Sequence, residues 1–84
     1  MEKMVDLHIC SAVTVKGQEF RSEDNLDVHI GTHPNNEDFA VVYVPNNSRN
    51  FFTLLNLNQS FAVDENGKYL KIHVLTTEIT NVVR

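Results

Sequence analysis

The sequence predicts an all-β fold, a small antiparallel barrel or sandwich of five to seven short strands, with one short helix near 48–58 as the alternative element. Three observations carry that expectation. Short apolar runs recur with alternating polar residues, the period of a half-buried strand. Clusters of Gly, Pro, Asn, Asp and Ser separate the runs at close intervals. Between two of them stands Asn66-Gly67, the pair suited to a two-residue type I′ turn, in which both central residues need positive φ.

Met4–Val15 reads as the first strand, with Val5, Leu7, Ile9, Val13 and Val15 on one parity. Ser11 interrupts that side, so a bend or bulge is expected near Cys10–Ala12. A hairpin follows with Gly17-Gln18 at its centre, setting Lys16 opposite Glu19 and Val15 opposite Phe20. Ser22–Asn25 is a polar turn, and Leu26–Ile30 alternates as a short strand. Gly31–Asp38, with Gly, Pro and paired Asn, reads as a loop. Phe39–Val44 is the most continuously apolar run and so the candidate central strand, buried on both faces and ended by Pro45.

Arg49–Asn58 satisfies two patterns. Phe52 and Leu54 alternate with Phe51, Thr53 and Leu55, as in a strand, and the β-rich context favours that reading. Phe51, Leu54, Leu55 and Asn58 also fall at helical spacing, behind Asn47 or Ser48 as an N-cap. In the Ser60–Leu75 hairpin, centring the turn on Asn66-Gly67 pairs Val63 with Leu70, Ala62 with Lys71 and Phe61 with Ile72. One face then collects Phe61, Val63, Leu70, Ile72 and Val74 for the core, and Tyr69, Lys71 and His73 take the other. Thr76–Val83 continues the last strand.

With 84 residues the chain is expected to form one small β domain over 1–84 with a thin core. Its one cysteine, Cys10, excludes an internal disulfide and favours a reducing, cytoplasmic setting. The N-terminus lacks a basic region followed by an unbroken apolar run, so neither a signal peptide nor a membrane span is expected. A formal charge of −4 argues against binding a nucleic-acid backbone, which calls for clustered Lys and Arg.

No chemical motif stands out. His8, His29, His33 and His73 are the residues able to hold a metal, but their spacing gives no tight ligand pair, and no metal site or cofactor is expected. Cys10 lies in a strand between Ile9 and Ser11 with His8 as its one basic companion, a poor setting for a nucleophilic thiol. Phe51, Phe52 and Tyr43 have Arg49 as their adjacent cation, so they read as core rather than as a stacking platform for bases. The candidate binding residues are therefore the acidic Glu19, Glu23, Asp24 and Asp27, the loop residues His33, Asn35, Asn36, Glu37 and Asp38, and Thr77, Ile79 and Val82 on a sparsely charged edge strand.

The function expected from these features is a non-enzymatic protein that works by binding another protein, with self-association through an edge strand as a further expectation. A phage or mobile-element inhibitor or adaptor is the concrete form, prompted by small size and ten asparagines, a composition typical of AT-rich coding sequences. The alternatives are a homo-oligomer binding a nucleotide-like ligand between subunits and a histidine-based metal-dependent hydrolase.

Overall fold

A computed structural model describes residues 4–84. Eight strands form two antiparallel sheets: β1 (Val5–Cys10), β2 (Ala12–Val15), β3 (Gln18–Arg21), β4 (Val28–His33), β5 (Asn36–Pro45), β6 (Ala62–Val63), β7 (Tyr69–Leu75) and β8 (Ile79–Val83). The larger sheet runs β1-β4-β5-β7-β6 and the smaller β3-β2-β8. The architecture is sandwich-like, and the sheets do not close into a barrel.

Two segments expected as single continuous strands are each divided between the two sheets, which is why the strands outnumber the expected five to seven. Met4–Val15 bends at Ser11, as the broken parity predicts, and β1 and β2 enter different sheets. At the far end, Thr76–Glu78 forms a 3₁₀ turn instead of continuing β7, and the Glu78 carboxylate accepts the Leu75 N–H at 2.9 Å. β8 then pairs with β2, with a register shift between Thr14 and Val15.

β5 is central, hydrogen-bonded to β4 and β7, and every residue from Ala40 to Pro45 is buried. The expected Gly31–Asp38 loop is mostly strand. β4 runs on to His33 and β5 begins at Asn36, leaving Pro34-Asn35 as a two-residue connection. Gly31 is buried in β4 because Met4 folds over it; a Cβ there would stand 2.8 Å from Met4 Cβ.

Both sequence-read hairpins form, with different turns. In β2–β3 the loop is Lys16-Gly17, not Gly17-Gln18, and both residues have positive φ. Lys16 holds this strained conformation because three contacts fix it: its N–H donates to Glu78 O, its ammonium donates to Gln59 Oε1 at 2.6 Å, and Glu78 Oε2 lies 3.6 Å away. Glu19 consequently pairs with Arg21 at 2.7 Å rather than facing Lys16. In β6–β7 the Ala62–Lys71 and Val63–Leu70 register holds, but the turn spans four residues. Asp64 Oδ1 accepts the N–H groups of Lys68 and Tyr69, and Gly67 alone takes positive φ, so no type I′ turn forms on Asn66-Gly67.

Residues 48–56 are helical, against the favoured strand reading: α1 spans Ser48–Asn56. Asn47 caps it, its side-chain oxygen accepting the Asn50 N–H at 2.8 Å. Asn58 ends it at φ 54 while the Asn58 and Gln59 N–H groups bond to Leu55 O and Leu54 O, a Schellman closure that asparagine tolerates. Capping at both ends outweighs an apolar pattern that is neutral between helix and strand.

The main core lies between the sheets and under α1, built from Val13, Val15, Phe20, Val28, Val42, Val44, Leu54, Leu70, Ile72 and Val74 with their neighbours. Of the face expected from the second hairpin, Leu70, Ile72 and Val74 are buried, Phe61 is half-buried, and Val63 is exposed because β6 is short and peripheral. The outer face of the larger sheet carries a second cluster, in which Val41, Tyr43 and Tyr69 are covered by Met4 and Leu26. No helix among the described residues is long and apolar enough to cross a membrane.

Candidate interaction surfaces

β4 separates the acidic candidates into two groups. Glu23, Asp24 and Asp27 precede β4, near the end of β5, whereas Glu37 and Asp38 follow the Pro34-Asn35 turn at the opposite end. Six strand residues span roughly 20 Å, well beyond the ~8 Å Debye length at physiological salt, so the groups do not act as one field. Glu23 accepts a hydrogen bond from Asn47 Nδ2 at 2.9 Å, which places its carboxylate beside the start of α1. Asp24 is exposed in a tight turn at φ 52. Glu19 lies apart from both groups, on β3.

At the other end, His33 Nδ1 accepts the Asn35 N–H, and Asn36 Oδ1 accepts the Asp38 N–H. His33, Asn35 and Asn36 line a shallow cleft of about 310 Å³ with Val5, Asp6 and Glu37. A second cleft of about 260 Å³ joins His33 to Phe39 and His73, whose ring centroid is 6.1 Å from that of His33. Sequence order hides this histidine pair, because the residues lie on β4 and β7 with β5 between them. Thr77 is exposed in the 3₁₀ turn, Ile79 packs half-buried on the main core, and Val82 is exposed on β8. β8 is an edge strand, as expected of an interaction element, but its first residue is committed to the core.

Among the described residues, no three His, Cys, Asp or Glu side chains are grouped to hold a metal ion. Cys10 is buried, its thiol donating to Val28 O at 3.6 Å; burial raises its pKa, Arg84 opposes the rise and Asp27 adds to it. His29 packs edge-on to Tyr69 at 5.5 Å with its Nδ1 buried and without a hydrogen-bond partner. Burial lowers its pKa, partly countered by Asp27.

Two apolar surfaces escaped the sequence reading. The first is on α1. Asn50, Leu54 and Leu57 face inward, and the buried Asn50 side chain donates to Pro45 O at 2.9 Å. The other flank leaves Phe51 38%, Phe52 61% and Leu55 48% exposed, so Phe51 and Phe52 are not core residues. Phe51 packs edge-on against Phe52 and Phe61, giving a continuous aromatic surface. It borders a cleft of about 450 Å³ lined by Asn46, Asn47, Ser48, Phe51 and Phe52. Helical spacing was the available signal; it marks an apolar flank without telling which part the core will cover.

The second is β1. Val5, Leu7 and Ile9 are 45%, 52% and 59% exposed although they continue the parity of buried Val13 and Val15. The bend at Ser11 and a bulge between Val5 and His8, with Asp6 at φ 52, break the relation between parity and burial.

A third surface is polar. A further cleft lies over the outer sheet face, about 420 Å³ between Tyr43, Tyr69, Lys68 and Lys71 and the β6–β7 turn. Comparison with protein-family models, curated proteins and solved structures returns no match.

Proposed function

We propose that this chain is a non-enzymatic binding module, an inhibitor or adaptor, that docks a partner protein through the aromatic flank of α1. The observation that carries the reading is the exposure of Phe51, Phe52 and Leu55 together on a helix whose opposite flank is anchored by Leu54. Clustered exposed aromatics on a rigid element supply contact area at small entropic cost, and aromatic anchors dominate interface energetics. Glu23, tied to the helix cap through Asn47, places negative charge at the rim of the adjoining cleft. The complementary partner presents an apolar anchor flanked by Lys or Arg, with the acidic rim steering its approach.

The test compares capture from a lysate of the source organism by the wild-type protein and by a Phe51→Ser/Phe52→Ser variant. The reading expects a discrete protein retained by the wild type, lost by the aromatic variant and weakened by Glu23→Lys. Equal capture by all three would overturn it. A second reading, an oligomer binding a small nucleotide-like ligand, is favoured by one observation: Tyr43 and Tyr69 line one cleft with Lys68, Lys71, Asp64 and Glu65, aromatic and polar groups together. A co-purifying small molecule in native mass spectrometry, lost in Lys68→Glu, would support it.

A further inference from the structure

We propose that Asn66 is a site of spontaneous deamidation, gated by opening of the β6–β7 turn that Asp64 braces. The site lies on a different element from α1 and does not depend on the function proposed there. Asn66 alone among the ten asparagines is followed by glycine. Both residues are exposed in the turn, and the space a side chain would occupy at Gly67 is empty. Glycine has no Cβ to shield its own amide nitrogen, so the backbone nitrogen after Asn66 meets the least steric hindrance to attack on the side-chain amide.

In that step the Gly67 nitrogen adds to Cγ of Asn66, and the new C–N bond closes a cyclic succinimide. The bond from Cγ to Nδ2 breaks, and the side-chain amide leaves as ammonia with the proton that Gly67 gives up. Water then opens the ring. Opening at the side-chain carbonyl gives aspartate; opening at the main-chain carbonyl gives isoaspartate, which adds a carbon to the backbone path. Asn66 lines the cleft of about 420 Å³ with Asp64, Glu65, Lys68 and Lys71. Either product therefore adds a carboxylate to that wall, and isoaspartate also alters the course of the turn.

The closed turn holds the step back. Gly67 N–H donates to Asp64 O at 2.9 Å, so the attacking nitrogen is engaged elsewhere. Asn46 Nδ2 donates to Gly67 O at 3.0 Å. Asp64 Oδ1 accepts the N–H groups of Lys68 and Tyr69 at 2.8 and 3.0 Å. Reaction requires the turn to open and release the Gly67 nitrogen. Residues 64–68 contribute nothing to either core cluster, so this opening exposes little surface and proceeds without global unfolding.

Incubating the full chain at mildly alkaline pH, then separating isoforms by charge and mapping peptides by mass, tests this. The first acidic isoform is expected to carry aspartate and isoaspartate at position 66, and Asn66→Gln should abolish it. Asp64→Ala removes the acceptor shared by Lys68 and Tyr69 and should speed the reaction about tenfold, the factor that a loss of ~1.4 kcal/mol in turn stability gives. In the wild type the rate should stay nearly flat in urea below the unfolding transition, because turn opening exposes little surface. Circular dichroism checks folding, and the urea arm stands alone if Asp64→Ala does not fold. No modification at position 66, earlier modification of another asparagine, an unchanged rate in folded Asp64→Ala, or a rate climbing steeply with sub-denaturing urea would overturn the proposal.

Discussion

Replacing Gly31 with alanine tests how the chain's first strand is seated. Gly31 sits in β4 without positive φ, so alanine fits the backbone and strain does not enter. The obstacle is contact: the new Cβ would stand 2.8 Å from Met4 Cβ, 3.0 Å from Met4 Sδ and 3.2 Å from Val5 O. The Met4 thioether can swing away, but its Cβ and the Val5 carbonyl move only with the backbone of β1. Overpacking of this kind costs about 1–3 kcal/mol. Restricting the unfolded chain returns about 0.4–1 kcal/mol. The net expectation is a loss of about 1–2 kcal/mol, or roughly 5–15 °C in Tm for a domain of this size. Thermal and urea unfolding followed by circular dichroism measure it, and Gly31→Ala should cost less in a Met4→Gly background, which removes the obstructing Cβ. A Gly31→Ala protein as stable as the wild type would refute the packing of Met4 and Val5 over β4.

Three further expectations concern the core and the titrating groups. Leu54→Ala should cost about 2–5 kcal/mol because Leu54 is fully buried, whereas Phe52→Ser should stay within about 0.5 kcal/mol; urea midpoints compare them. His29 has a folded pKa below its usual 6.5, so below pH 6.5 the unfolded chain takes up a proton that the folded chain refuses. Stability should therefore fall as pH drops from 6.5 toward the lowered value, and His29→Gln should flatten that part of the Tm–pH profile. The buried Cys10 thiol, its pKa raised, should react with a disulfide reagent far more slowly in the native protein than in denaturant; equal rates would contradict its burial.

The sequence made the strands legible where alternation and turn chemistry agreed. Ala62–Lys71 and Val63–Leu70 pair as the hydrophobic pattern requires, and β5 is buried on both faces from Ala40 onward as its apolar run implies, although Phe39 at the start of that run is exposed. The losses share one cause: alternation assigns a residue to a side but not to a covered side. Val63 has the right parity and is exposed because β6 is only two residues long. Ile9 shares parity with Val13 and is exposed because the strand turns a corner between them. Residues 48–56 were ambiguous because apolar side chains suit both periods, and the Asn47 cap with the Asn58 closure decided for helix. The acidic and loop candidates were correctly read as surface, yet their division between opposite ends of β4 depends on pairing that spacing alone does not give.

The most direct test of the proposed binding function is site-specific photo-crosslinking in a lysate of the source organism. A benzophenone amino acid replaces Phe52 in one sample and Lys68, on the β6–β7 turn, in another. The account predicts a discrete protein adduct from position 52 that position 68 does not give. Identical adducts from both positions, or none from position 52, would contradict it.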